Sequence, residues 1–179
     1  PKVNMKRIPL SLFTFLFLLS GLCAAPTKTV WQIGEKNHSA SELALSPDKY
    51  KEFLANDFGW EDRFYIIGLS SPQKDFPYVL PGPADHWGGT SYTAGIRTHV
   101  LNILFGMKEV PETDSWKLII DLLDTHHEFP ALFKITINGK SWKYALPKGS
   151  GKSIDGDYSQ IKPHTIEIPL NSGVIRKGS

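Results

Sequence analysis

Apolar and polar residues alternate most regularly in the C-terminal half of the chain. Ile166, Ile168 and Leu170 are separated by Glu167 and Pro169, and Phe133, Ile135 and Ile137 by Lys134 and Thr136. A period of two is that of a strand with one buried face. After Ile137 comes Asn138-Gly139, a pair that tolerates the positive φ angles of a type I′ turn. Trp142, Tyr144 and Leu146 then resume the alternation, so residues 133–146 predict a hairpin. Residues 116–124 predict another strand, with Trp116, Leu118, Ile120 and Leu122 facing inward. Ile119 and Leu123 make its second face apolar as well, which predicts burial on both sides. Two further strands are expected over 63–69, rich in β-formers, and 98–105, with Leu101, Ile103 and Phe105 on one face. Val30-Trp31-Gln32-Ile33-Gly34 reads as a short central strand.

One helix is expected. Ser46-Pro47-Asp48 supplies a capping hydroxyl and a proline at the first helical position, and Tyr50, Phe53 and Leu54 follow at helical spacing. Seven strand runs and a single short helix predict an all-β protein, a jelly-roll β-sandwich. Residues 75–90 fit neither element, because three prolines and three glycines exclude a helix or a central strand. That segment nevertheless carries Phe76, Tyr78, Asp85, His86 and Trp87. It reads as a rigid loop presenting a ring and polar groups, or as a loop whose aromatics cap the edge of the core.

Before the sandwich lies a leader. Met5-Lys6-Arg7 is a basic start and residues 10–22 an apolar run, which together read as a signal peptide over 1–25, with residues 1–4 upstream of it. The run is too short to favour a membrane span. A lipid anchor at Cys23 is disfavoured, because Leu22 stands where a lipobox has a small residue. Secretion or periplasmic export of residues 26–179 is the expectation, with no cysteine left for disulfides. Residues 174–179 stop in mid-pattern, which reads as truncation of a longer protein.

The chain has 179 residues, 20 Lys plus Arg against 18 Asp plus Glu. That size suits one core, and near-balanced charge with no Lys/Arg run gives no electrostatic case for nucleic acid. Gly149-Ser150-Gly151-Lys152-Ser153 resembles the end of a phosphate loop, but Leu146 stands where the motif has its first glycine. In Asp124-Thr125-His126-His127 the adjacent histidines would point to opposite faces of a strand, which disfavours a shared metal. Asp124 there either caps backbone amides or, with His126, bonds sugar hydroxyls. No cofactor is called for. Asp155 and Asp157, flanking Gly156, offer the one weak calcium signal, without the spacing of an EF-hand. No nucleophile motif is present, and sequence alone cannot pair Asp85, Asp121 or Asp124 for glycoside hydrolysis. Aromatic rings beside polar groups do suit carbohydrate. Trp87, between His86 and Gly88-Gly89, is the candidate platform, with Asp85 and His86 beside it.

These residues also carry a family resemblance. Trp31-Gln32-Ile33-Gly34, then residues 65–70 leading to Lys74-Asp75-Phe76, and Pro81-Gly82-Pro83-Ala84-Asp85-His86-Trp87 resemble the third, carbohydrate-binding-module-like domain of rhamnogalacturonan lyases (polysaccharide lyase family 4). Residues 118–126 and 135–139 are similar to it as well. The resemblance implies a jelly-roll sandwich accompanying a catalytic module in an enzyme that degrades pectin-like polysaccharide, with the lyase catalytic residues in another domain. Three functional readings follow: a non-catalytic module that binds a polysaccharide or oligosaccharide, a structural sandwich packed on the catalytic module, or part of a lyase or hydrolase active site completed beyond Ser179.

Overall fold

A computed structural model of the chain describes residues 28–46, 63–77, 100–110, 116–153, 157–171 and 173–175. The chain divides into two units, Pro1–Val30 and Trp31–Ser179, and every element named here belongs to the second. In order these are β1 (Arg63–Ile66), α1 (Pro72–Asp75), β2 (Leu101–Leu104), β3 (Trp116–Leu122), β4 (Leu132–Ile137), β5 (Lys140–Ala145), a 3-10 turn (Tyr158–Gln160) and β6 (His164–Leu170). The fold is a β-sandwich with one short α-helix among the described residues.

The core follows from the alternation. β3 pairs antiparallel with β6, setting Trp116 against Leu170, Leu118 against Ile168 and Ile120 against Ile166. All six side chains therefore share one face. Onto it pack Phe133, Ile135 and Ile137 of β4 and Trp142 and Tyr144 of β5, which pair with each other as an antiparallel hairpin. Two apolar faces meeting in this way make the two layers of a sandwich. Met107, Val174 and Ile175 complete the buried cluster, and Ile168 at its centre is fully buried.

The hairpin turn is as expected, with Asn138 at φ 46° and Gly139 at φ 85°. Asn138 Nδ2 also donates to Val174 O at 2.7 Å, tying the turn to the C-terminal segment. An added Cβ at Gly139 would meet open space, so Gly139→Ala isolates the backbone cost. It is expected to lose about 1–2 kcal/mol in urea unfolding; a neutral result would show that the turn can change type freely.

Two readings of the sequence need correction. Residues 30–34 form no strand. Gly34 turns the backbone with φ 71°, and Glu35 N–H donates to the Glu42 carboxylate at 2.8 Å instead of to a ladder. β3 is not buried on both sides. Ile119 is 51% exposed, and its face carries the Lys117–Glu167 pair and Asp121, which accepts from Lys36 and Thr165. The expected helix after Ser46 falls on residues 47–55, outside the described ones. A Ser-Pro pair also starts α1: Pro72 opens the helix after Ser71, and Ser71 N–H donates to the Asp75 carboxylate at 2.7 Å.

β1 and β2 pair in parallel, Arg63 opposite Leu101 through Ile66 opposite Leu104. A parallel pair needs a long crossover, here residues 67–100. Tyr65 is the inward residue of β1 and meets the Phe76 ring edge-on at 5.7 Å. The opposite face carries Phe64, Ile66 and Leu104, all exposed.

Candidate functional site

Where β3 ends, the chain turns through residues 123–131 before entering β4. The Asp124 carboxylate fixes that turn. Its Oδ1 accepts from Ser150 N–H at 2.7 Å and from Lys162 N–H at 3.4 Å. Its Oδ2 accepts from the Ser150 hydroxyl and from Lys152 N–H at 3.2 Å. Burial pushes the Asp124 pKa up, but the bonds from the Ser150 hydroxyl and from the Ser150, Thr125 and Lys152 amides outweigh it and hold the carboxyl below its ordinary value. The string that resembles a phosphate loop does bind an anion through its amides. The anion is the chain's own aspartate.

The same loop is stitched to the turn along its length. Gly149 N–H donates to His126 O at 3.3 Å, Gly151 N–H to Thr125 O at 3.1 Å, and the Thr125 hydroxyl to Pro147 O at 2.5 Å. Gly149 is required by space, since a Cβ there would overlap the Thr125 backbone and the Asp124 carboxylate.

The anchored turn presents rings. His126 Nδ1 accepts from Glu128 N–H at 3.1 Å and from Phe129 N–H at 3.0 Å. An imidazole nitrogen that accepts carries no proton, so in this arrangement the ring proton sits on Nε2, leaving a donor there. The His127 ring stacks on His126 at 4.6 Å, and Phe129 lies 6.0 Å from His126 with its side chain 56% exposed. Sequence reasoning named Asp124 and His126 but passed over Phe129, because an isolated Phe beside Pro130 has no periodicity to mark it as exposed.

Asp124 and His126 are thus brought together in one turn, with different tasks. The acceptor lone pairs of Asp124 are spent on the chain itself, whereas His126 keeps a donor. Trp87, Asp85 and His86 lie outside the described residues. Of the weak calcium pair, Asp155 also lies outside them. Asp157 caps the 3-10 turn, its Oδ1 accepting from Ser159 N–H at 3.0 Å and from the Ser159 hydroxyl at 2.5 Å. Those bonds hold its pKa below the usual value. Among the described residues no group of three or more His, Cys, Asp or Glu could hold a metal ion, and no helix is long and apolar enough to cross a membrane.

A two-layer β-sandwich with rings on an anchored turn defines the class as a β-sandwich module and leaves its function open. The family supplies the next step. Residues 29–179 match the family described as CBM-like, polysaccharide lyase family 4, domain III, and the chain belongs to that family. No curated protein and no solved structure matches it.

Proposed function

We propose that the chain is a non-catalytic carbohydrate-binding module of an exported polysaccharide-degrading enzyme, with a pectin-like polymer such as rhamnogalacturonan as its ligand. The family match over residues 29–179 carries this reading. Residues 1–25 would be the export leader, and the catalytic module would belong to the same full-length protein. Trp87 would be the stacking platform, with Asp85 and His86 beside it and His126 donating to a hydroxyl. Asp124 would act through position, by holding the turn that carries His126.

Titration calorimetry of the full chain against pectic oligosaccharides tests it. Saturable binding is expected, weakened about tenfold or more by Trp87→Ala, as for a buried aromatic anchor. His126→Ala should weaken it less. Absence of binding to every oligosaccharide would overturn the reading.

A second reading has its own observation. Phe64 is 59% exposed, Leu104 47% and Leu69 83%, beside an open apolar depression of about 350 Å³ lined by Ile66, Ile67, Leu104, Phe105 and Gly106. A patch of that kind suits packing against another module, so the β1–β2 face would be the side turned to the catalytic module.

A further inference from the structure

The outer face of the β4–β5 hairpin holds a charge arrangement that folding does not explain. Lys134 and Lys143 are Cα partners in register, both exposed, on the face opposite the core. Like charges directly across an antiparallel pair destabilise it. Neither lysine belongs to an ion pair among the described residues. The other outward positions are Leu132 with Ala145 on one side and Thr136 with Ser141 on the other, the latter joined hydroxyl to hydroxyl at 2.7 Å. No acidic side chain shares the face, and residues 129–154 contain five lysines and no Asp or Glu. The sequence did not show this as a basic patch, because the lysines are spaced out and only the register sets two of them opposite each other.

We propose that this face is a binding surface for the carboxylates of an acidic polysaccharide, a polyuronate, with Lys134 and Lys143 converging on one sugar carboxylate and the Thr136 and Ser141 hydroxyls beside them. The like-charge cost then becomes binding energy, since an anion between the two ammonium groups relieves their repulsion. The occupant follows from charge complementarity. Two ammonium groups opposite each other, with hydroxyls beside them and no acid among the hairpin's outward positions, suit a sugar that carries a carboxylate, and the family match makes that sugar part of a polysaccharide. The proposal rests on the carbohydrate-binding reading, but it names contact residues other than Trp87.

The test compares the full chain with Lys134→Ala/Lys143→Ala and with Lys134→Arg/Lys143→Arg. Affinity electrophoresis and calorimetry would use polygalacturonate, its methyl ester and a neutral galactan, at low and at raised salt. Expected for the native chain is binding to polygalacturonate that weakens with salt and with esterification. The alanine pair should lose about tenfold in affinity and the arginine pair should keep it, as for charge-assisted contacts. Thermal unfolding of the alanine pair should be unchanged or slightly raised, because a repulsion has been removed. Polygalacturonate binding that is indifferent to the alanine pair, or to esterification, would overturn the proposal. Binding of the galactan alone would overturn it and leave the module reading standing. No binding of the native chain to any of the three would overturn the proposal, and the titrations with pectic oligosaccharides would then decide the module reading.

Discussion

Ile168→Ala is expected to lower the unfolding free energy by about 2–5 kcal/mol, the range for deleting a buried branched side chain and leaving a cavity. Ile168 is 0% exposed, stands opposite Leu118 across the β3–β6 ladder, and lies between Ile166 and Leu170 on the inward face. The hairpin residues Ile135 and Trp142 belong to the layer packed against that face, so the space left by the missing atoms is bounded by two sheets and cannot close by moving one side chain. For a domain with a typical stability of about 5–15 kcal/mol, such a loss could leave a sizeable unfolded population at 37 °C. Ile168→Val, which removes a single methylene, should cost about 0.5–1.5 kcal/mol. The control is Ile119→Ala in the same sheet. Ile119 is apolar and central in β3 but 51% exposed, so its loss should stay within about 0.5 kcal/mol. Urea unfolding measures all three, with midpoints shifting at constant slope. Equal costs for Ile168→Ala and Ile119→Ala would show that the inner and outer faces of this sheet have been assigned wrongly.

That contrast also marks how far the sequence could be read. Residues 133–146 and 164–170 were legible because one face is buried and the other solvated, so each side chain reports its own environment. Asn138-Gly139 was legible because the turn depends on backbone freedom, which is a local property. Ile119 was misread because an apolar residue is tolerated on a solvated face, and composition alone does not distinguish the two cases. Residues 30–34 were misread for a related reason: the apolar run looks central until Gly34 takes a positive φ. The family could be read from short motifs, while the contact chemistry depends on pairings distant in sequence. Asp124 could be recognised as a residue that caps amides, but Ser150, its partner, lies 26 positions away. Lys134 and Lys143 became a pair only when the register of the hairpin was known. Asp85, His86 and Trp87, chosen from their composition and setting, lie outside the described residues and are a proposal.

The other large effect is expected where the turn after β3 meets its loop. Gly149→Ala should cost about 3 kcal/mol, the upper end of the range for overpacking a filled site. The new Cβ would meet the backbone of Thr125 and the carboxylate of Asp124, and a backbone cannot rotate aside as a flexible side chain can. Asp124→Ala attacks the same joint from the other side. It leaves the Ser150 amide and hydroxyl without their acceptor, while Lys152 N–H keeps the Ser150 hydroxyl oxygen at 3.2 Å, and should cost about 2–3 kcal/mol, as for lost hydrogen bonds to a charged group. The two predictions differ in their pH dependence. The Asp124 carboxyl titrates below its ordinary value of 3.8 in the folded chain, so its contribution is fully present above that value and disappears as pH falls through the depressed folded pKa. The stability gap between the native chain and Asp124→Ala should therefore be constant at neutral pH and narrow on acidification. Asp121 and Asp157, also held low by hydrogen bonds, would continue to make both proteins acid-sensitive. A gap that does not narrow at low pH would mean that the carboxylate charge contributes nothing to the joint. Since the loop fixed by Asp124 also holds the segment carrying His126 and Phe129, Gly149→Ala should weaken oligosaccharide binding even in the fraction that remains folded. Full affinity in that fraction would separate the rings of this turn from the binding surface.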